Sequence, residues 1–255
     1  MINKKIICII PARLQSTRFP EKMLALLNGK PLIQYAWQAA VNTKIFDDVI
    51  IALDSEKTAT VVKSFNANFL MTSQSCQSGT ERLVEIMKSK KISSDIWVNW
   101  QGDEPFINKE MIQTLLQSIN DDSDIWTLKK RITNQEEINN PNFAKVVCDV
   151  AGSAIYFSRS PIPFYRDEKD FEKQKYYKHV GIYAYTTKAL QKIAQSKISY
   201  LEDAEKLEQL TFIANNLKIK IHKTDQEVIG IDTPQDLKKA EIRLKKEEKG
   251  SEVCI

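Results

Sequence analysis

Near its start the chain reads Ile6-Ile-Cys-Ile-Ile-Pro-Ala-Arg-Leu-Gln-Ser-Thr-Arg-Phe-Pro-Glu-Lys22, and this stretch decides the fold. Residues 6–10 are an unbroken apolar run of mostly β-branched side chains, which is typical of a strand buried on both faces of a parallel sheet. Pro11 ends the run, and three cations follow at Arg13, Arg18 and Lys22. Because ligands of open parallel sheets bind beyond the carboxyl ends of strands, this loop is a candidate anion site.

The same order of strand, polar loop and helix repeats through the first half of the chain. The pattern predicts strands over 49–53, 68–71 and 96–100, and helices over 31–41, 55–64, 80–88 and 108–119. Such alternation indicates right-handed βαβ units on a mostly parallel sheet, so the fold class is α/β. The polar segments 11–22, 72–82 and 101–105 each follow a predicted strand. They are therefore expected to converge on one site.

The second half has a different pattern. Segments 144–148 and 154–157 predict an antiparallel hairpin, with Gly152 in its turn. Further predictions are strands over 179–185 and 219–222, a helix over 201–215, and a last helix from Thr233 with a tail that frays over 241–255. The whole chain, 1–255, is expected to form a single domain.

Composition excludes several classes of protein. The chain has 37 basic and 33 acidic residues, and a net charge of +4 is too small to predict a nucleic-acid partner. No apolar run is long enough to insert into a membrane. The four cysteines (Cys8, Cys76, Cys148, Cys254) lack metal-ligand spacing and are expected to be reduced thiols, with Cys8 in the core. These features predict a soluble, cytoplasmic protein.

The first loop lacks the two common glycine-rich phosphate motifs. Neither GxGxxG nor GxxxxGK[ST] is present, which argues against a dinucleotide-binding dehydrogenase and a P-loop NTPase. The three cations, the hydroxyls of Ser16 and Thr17 and the free backbone N–H groups nevertheless suit a triphosphate. From these residues alone, a solvated basic loop is an equally good interpretation.

Seven segments in order resemble the 3-deoxy-manno-octulosonate (Kdo) cytidylyltransferase family. They are residues 10–22, Gln77-Ser-Gly-Thr-Glu-Arg82, Gln101-Gly-Asp-Glu-Pro105, Tyr156-Phe-Ser-Arg159, His179-Val-Gly-Ile-Tyr-Ala-Tyr185, Leu207-Glu-Gln-Leu210 and Ile231-Asp-Thr-Pro-Gln-Asp-Leu237. The resemblance spans roughly residues 6–240. It implies a Rossmann-like nucleotide-diphospho-sugar transferase fold, with helices on both faces of the central sheet. A smaller antiparallel region over about 136–200 would build a homodimer and bind the sugar.

The resemblance also implies a reaction. The anomeric hydroxyl of Kdo would attack the α-phosphate of CTP and give CMP-Kdo and pyrophosphate, for lipopolysaccharide synthesis. Mg²⁺ is the implied cofactor, as one ion or two, because it binds to one or two carboxylates and to phosphate oxygens. Asp103, in the turn after a predicted strand, is the first ligand expected. Asp232 is the second, although its spacing before Thr233 and Pro234 equally fits a helix N-cap.

The resemblance assigns most binding residues. The catalytic set is Arg13, Arg18, Lys22, Asp103 and Asp232, and the nucleotide-binding residues are Pro11, Ala12, Arg13, Ser16, Arg18, Lys22, Ser78 and Gln101. The sugar-binding residues are Gln101, Arg159, His179, Tyr183, Glu208 and Gln209. Arg159 matches the sugar carboxylate, because a guanidinium binds carboxylates bidentately. From the residues alone, a surface side chain explains Arg159 equally well, and a structural role is the usual explanation of a lone histidine such as His179.

The chain departs from the family pattern at Glu21, where a glycine is usual, at Met23 and at Thr211. A carboxylate beside a triphosphate is unfavourable unless it points to solvent or pairs with a lysine. Two alternatives therefore stay open. The first is transfer to an amino-modified Kdo or another sugar acid, and the second is nucleotide binding without catalysis.

Overall fold

The computed structural model describes residues 4–16, 18–168 and 170–252. These residues form two compact units. The N-terminal unit comprises Lys5–Ile92, Asn99–Lys109 and the chain from Glu227 onward, and the central unit comprises Ser93–Val98 and Glu110–Gln226 with Lys4. The chain returns repeatedly to each of these units. The single domain expected over 1–255 stays a prediction.

The strands of the described residues are β1 (Ile6–Ala12), β2 (Leu26–Leu27), β3 (Lys30–Pro31), β4 (Asp48–Leu53), β5 (Asn68–Met71), β6 (Ile96–Asn99), β7 (Ile125–Arg131), β8 (Lys145–Cys148), β9 (Ala154–Ser158), β10 (Tyr177–Thr186) and β11 (Ile219–Thr224). The helices are α1 (Leu32–Thr43), α2 (Glu56–Lys63), α3 (Gly79–Ser89), α4 (Lys109–Leu116), α5 (Gln135–Asn139), α6 (Thr187–Ile193), α7 (Tyr200–Glu205), α8 (Gln209–Ala214) and α9 (Pro234–Glu252). A 3₁₀ turn covers Lys22–Leu24.

Parallel strands form the sheet of the N-terminal unit. β4 pairs with β1 from Ile7↔Asp48 to Ala12↔Leu53, and with β5 from Ile50↔Asn68 to Leu53↔Met71. Every residue of β1 is buried, as a strand covered on both faces requires. Cys8 is fully buried within it, as predicted.

Serine caps start the helices that follow β4 and β5. The Ser55 hydroxyl accepts the N–H of Lys57 before α2, and the Ser78 hydroxyl accepts the N–H of Glu81 before α3. Each hydroxyl satisfies a backbone donor that has no partner inside the helix. The two caps fix where each loop ends and its helix begins.

The central unit carries most of the antiparallel pairing. Its strand order is β11-β7-β10-β6; β11 runs parallel to β7, whereas β10 runs antiparallel to it and bulges between Val180 and Tyr183. β8 pairs with β9 and with β10. The β8–β9 turn contains Gly152 at φ 82°, a conformation that glycine adopts without strain. The predicted hairpin and the role of this glycine are confirmed.

One predicted element was wrong and one strand was not predicted. The helix expected over 201–215 is two helices, α7 and α8, because Lys206 adopts a left-handed φ of 53° between them. Strand β7 was missed, since its last three residues are charged. Helix α9 continues to Glu252, and fraying of the tail over 241–255 stays a prediction. Cys254 lies outside the described residues.

Candidate active site

The loop after β1 carries the predicted phosphate ligands. Pro11 and Ala12 are buried at the end of the strand, Arg13 and Arg18 are exposed, and Ser16 is half-buried. Thr17, proposed from the sequence as a hydroxyl donor, lies outside the described residues. After the loop, Lys22 opens the 3₁₀ turn and is only 6% exposed. The loop thus presents two exposed cations, and one buried cation follows it.

Lys22 joins the two predicted metal ligands. Its ammonium lies 2.5 Å from Oδ2 of Asp103 and 2.9 Å from Oδ1 of Asp232. The other oxygen of Asp232 is 3.0 Å from Nη2 of Arg18. Four of the five residues predicted to be catalytic are therefore in direct contact, and each carboxylate has a positive partner.

A main-chain hydrogen bond sets the distance between the two acidic segments. The N–H of Ile231, next to Asp232, donates to the carbonyl of Asp103 at 2.9 Å. Ile231 is itself fully buried, in a cluster with Leu27 and Leu32. The Asp103 turn and the segment before α9 are thus held together by backbone and core packing. The side chain of Asp232 does not act as a helix N-cap, because its two oxygens contact Lys22 and Arg18.

Charge governs protonation in this cluster. Burial lowers the pKa of Lys22, but the charges and hydrogen bonds of Asp103 and Asp232 outweigh it, so that pKa lies above its ordinary value. Burial raises the pKa of Asp232, and contacts with Lys22 and Arg18 bring it below its ordinary value. The pKa of Glu104 rises to about 8, first through burial and then through the charges of Asp103 and Asp232. Lys22 and Asp232 are therefore charged at neutral pH.

The start of α3 brings a second set of predicted residues to the loop. A Cβ at Gly79 would lie 3.1 Å from Cγ of Pro11 and 3.2 Å from Nδ2 of Asn99, so a side chain there would push the helix away. The glycine lets Ser78 approach the end of β1. A hydrogen bond orients the side chain of Gln101: its Nε2 donates to Oδ1 of Asn99 at 3.1 Å.

These groups surround one cavity of about 300 Å³, within the N-terminal unit. Its lining residues are Pro11, Arg13, Ser16, Arg18, Lys22, Met23, Cys76, Gln77, Ser78, Gly79, Arg82, Gln101, Asp103 and Asp232. All the predicted nucleotide-binding residues except Ala12 are among them. Met23, Cys76, Gln77, Gly79 and Arg82 were not predicted, although three of them stand in the quoted segment Gln77–Arg82.

The donor set of this cavity fits Mg²⁺. Among the described residues there is no cluster of three or more His, Cys, Asp or Glu side chains that would form an all-protein metal site. Mg²⁺ does not need one, because it binds to one or two carboxylates, waters and substrate phosphates. Asp103 and Asp232 supply two such carboxylates, with side chains 25% and 45% exposed.

Arg159 lies in the central unit, where three backbone carbonyls hold its guanidinium. Nε donates to the Glu205 carbonyl at 2.6 Å, Nη1 to Pro141 at 2.7 Å and Nη2 to Lys206 at 3.2 Å. These bonds use three of its five N–H groups. The side chain is therefore fixed in direction, with donor capacity remaining on both terminal nitrogens.

His179 lies beside the bulge of β10, and its tautomer follows from Thr127. The Thr127 hydroxyl lies 2.7 Å from the Ile182 carbonyl and 2.9 Å from Nε2 of His179. The hydroxyl has one proton and the carbonyl can only accept, so the proton goes to Ile182 and Nε2–H of His179 donates to Thr127. Nδ1 is then the unprotonated acceptor. Burial lowers the pKa of His179 to about 3, so the ring is neutral.

The other predicted sugar residues are in the same unit. Tyr183 is buried, with its ring centroid 5.1 Å from that of His179. Glu208 is the N-cap residue of α8, and Gln209 is the first residue of that helix and is buried. His222 was expected to be exposed, but it is buried and its Nε2 lies 2.9 Å from the Ser118 hydroxyl.

Comparison with known proteins identifies the family. The family model described as cytidylyltransferase matches residues 7–219. A 3-deoxy-manno-octulosonate cytidylyltransferase from Geotalea uraniireducens is 45% identical over 252 residues, covering 95% of this chain and 100% of the relative. The chain belongs to the 3-deoxy-manno-octulosonate cytidylyltransferase family. Members from Thermodesulfovibrio yellowstonii and Parabacteroides distasonis are each 44% identical, over 92% of this chain and 96% of theirs.

Solved structures of the cytidylyltransferases confirm the α/β fold class. CMP:2-keto-3-deoxy-manno-octonic acid synthetase, solved in complex with CTP, matches with a TM-score of 0.89 and 39% identity, covering 95% of this chain and 99% of that one. The 4-diphosphocytidyl-2C-methyl-D-erythritol synthase of Anaerococcus prevotii has a TM-score of 0.62 at 14% identity and shares the fold alone. Within the residues that the structure describes, no helix has both the length and the hydropathy of a membrane span.

Proposed function

We propose that this chain transfers CMP from CTP to the anomeric hydroxyl of Kdo and releases pyrophosphate. The observation that carries the proposal is the cavity in which Arg13, Arg18 and Lys22 lie beside two carboxylates. That charge pattern suits a metal-bound triphosphate. The high identity to relatives named for this activity supports the same substrates.

The cations of the loop bind and orient the triphosphate. Arg13 and Arg18 are exposed at the cavity, so their guanidinium groups are accessible to phosphate oxygens. Lys22 lies deeper, and its ammonium holds Asp103 and Asp232 in place. Because phosphoryl-type transfer depends mainly on positioning and charge neutralisation, the chain needs no covalent intermediate. The sugar oxygen forms a bond to the α-phosphorus, the bond from that phosphorus to the pyrophosphate oxygen breaks, and the hydroxyl proton passes to water.

Asp103 and Asp232 are the residues that would hold Mg²⁺. When bound there, Mg²⁺ neutralises phosphate charge and lowers the pKa of an oxygen nucleophile. Arg18, which contacts Asp232 from an exposed side chain, is the group able to turn from that carboxylate to the phosphates.

The sugar acid is recognised by the central unit. Arg159 offers its remaining N–H groups to the sugar carboxylate from a guanidinium held by three carbonyls. Neutral His179 accepts a sugar hydroxyl at Nδ1, because Thr127 holds its Nε2–H. The remaining hydrogen bonds to sugar hydroxyls come from Tyr183, Glu208 and Gln209.

We also propose a cytoplasmic homodimer. Large apolar side chains are exposed in the central unit, among them Phe164 at 87% and Tyr200 at 81%, with Ile155 of β9 and Ile198. A second copy of the chain would cover them. Sedimentation velocity at micromolar concentration tests this, and a monomer there would refute it.

A substrate panel tests the activity. Pyrophosphate release is measured with CTP or UTP, with Kdo, 8-amino-Kdo or sialic acid, and with or without Mg²⁺. Release that needs CTP, freshly prepared Kdo and Mg²⁺ together is expected. Faster turnover of 8-amino-Kdo or sialic acid would reassign the acceptor, and CTP binding without turnover would make the chain a nucleotide-binding protein.

Two variants separate the roles of individual residues. Asp103→Ala is expected to abolish turnover while the thermal unfolding transition persists, since its carboxylate is a metal ligand. Arg18→Ala should raise KM for CTP more than KM for Kdo, because Arg18 is exposed at the cavity. Retained activity in the first variant would rule out the metal role of Asp103.

A further inference from the structure

Asp54 connects the anion-binding loop to the sheet. It follows β4 directly, and its side chain is 10% exposed. Oδ1 of Asp54 accepts the backbone N–H of Leu14 at 2.9 Å. Leu14 lies between Arg13 and Ser16, both at the cavity. The hydrogen bond therefore anchors the loop at the point where it presents its phosphate-binding groups.

Arg82 fixes the carboxylate that provides this anchor. Its Nη2 lies 2.8 Å from Oδ2 of Asp54, and the Arg82 side chain is 3% exposed. Its Nη1 donates to the Thr72 hydroxyl at 2.6 Å and to the Ser73 carbonyl at 3.1 Å. The Thr72 hydroxyl in turn donates to the carbonyl of Leu53 at 2.9 Å. Both oxygens of Asp54 are thus engaged, which fixes the direction in which Oδ1 faces the loop.

This arrangement gives Asp54 two separable tasks. One is to neutralise the buried guanidinium of Arg82, which would be costly without a partner. The other is to hold the Leu14 N–H, and an ionised acceptor makes this hydrogen bond stronger than a neutral one would. Only the second task acts on the loop.

We propose that Asp54 is a positioning residue for the triphosphate: by fixing the backbone of Leu14, it sets where Arg13 and Ser16 meet CTP. The inference rests on the proposed function, since it takes the ligand of the loop to be CTP. Asp54 acts through the loop and does not itself touch the substrate. Its removal should therefore affect CTP and leave the sugar acid little changed.

Two double variants isolate the anchor. Asp54→Asn with Arg82→Met keeps an oxygen acceptor for Leu14 and removes the buried cation. Asp54→Leu with Arg82→Met removes the cation and the acceptor together. Both carry the same change at Arg82 and a side chain of similar size at position 54, so the comparison isolates the polar acceptor that bonds the loop. We expect KM for CTP to be about tenfold higher in the leucine variant, equivalent to about 1.4 kcal/mol, with KM for Kdo alike in both.

Asp47 provides the matched control. It also accepts a backbone N–H of β1, that of Ile6 at 2.7 Å, but at the opposite end of the strand. Asp47→Ala should lower the melting temperature and leave KM for CTP unchanged. Equal KM values for CTP in the two double variants would overturn the inference, as would an equal rise in KM for CTP and for Kdo.

Amide hydrogen exchange of the ligand-free wild-type protein tests the anchor even if the leucine variant does not fold. The Leu14 amide should exchange more slowly than that of Gln15, and exchange at the rate of an unstructured peptide would overturn the inference. Failure of the proposed function gives a different result, namely a wild-type protein without CTP turnover whose Leu14 amide is still protected.

Discussion

Lys57→Met tests how this chain tolerates a carboxylate in its phosphate-binding loop. Nζ of Lys57 lies 2.6 Å from Oε1 and 2.7 Å from Oε2 of Glu21. Glu21 precedes Lys22 directly and has a left-handed φ of 53°. Lys57 belongs to α2, so the pair holds the carboxylate against that helix. Without Lys57, the negative charge of Glu21 is free to repel the triphosphate.

The two side chains are 57% and 49% exposed, which limits the size of the effect. An ion pair of this exposure contributes about 0.2–1 kcal/mol. If CTP binding weakens by the whole free energy of this ion pair, Kd for CTP rises about 1.5- to 5-fold. The Debye length falls from about 10 Å at 0.1 M salt to about 3 Å at 1 M, so the rise should disappear at high salt.

The assay is isothermal titration of CTP in low and high salt. Lys63→Met is the matched control, because Lys63 ends the same helix but lies 5.6 Å from the ring centroid of Phe69 and not beside Glu21. Adding Glu21→Gln to Lys57→Met should restore the wild-type Kd, since no charge then remains to be neutralised. Equal Kd values for Lys57→Met and Lys63→Met at low salt, or no restoration by Glu21→Gln, would refute the reasoning.

Three further predictions concern the rest of the site. Lys22→Met should lower kcat/KM for pyrophosphate release about 100-fold or more, because Asp103 and Asp232 then face each other without their shared cation; a loss below tenfold would contradict that role. The pKa of His179 is about 3 in the folded protein, so between pH 6.5 and 3 only the unfolded state binds a proton there, and the free energy of unfolding falls as the pH falls. His179→Phe should make the free energy of unfolding less dependent on pH, as measured by urea titrations at pH 7 and pH 5. An unchanged dependence would argue for a solvated ring. Arg159→Lys should lower the melting temperature by about 2–4 °C, because an ammonium cannot reach the three carbonyls now held, and an unchanged transition would show that they stabilise nothing.

The sequence predicts elements well where burial alone decides them. The apolar run of β1 is such a local signal, and this strand was placed correctly. The sequence did not predict strand β7, because a lysine is rarely buried in a strand. In the structure the aliphatic stem of Lys130 is buried, and its ammonium donates to the carbonyls of Asp225 and Gln226. That environment exists only after folding.

The same distinction applies to the site. Family resemblance named Lys22, Asp103 and Asp232, and the structure brings them together. It did not predict that Lys22 bridges the two acids, nor that Asp54 accepts the Leu14 N–H. These contacts join distant segments through single atoms, and no local pattern of residues encodes them.

The main-chain hydrogen bond from Ile231 to Asp103 makes the spacing of the two acids independent of their side chains. Both groups of this hydrogen bond belong to the main chain, so it forms whichever side chains stand at the two positions. Other side chains at 103 and 232 would inherit the same separation. For the magnesium role proposed above, substitution of these two acids would change the ligands offered to the ion while the backbone that positions them is retained.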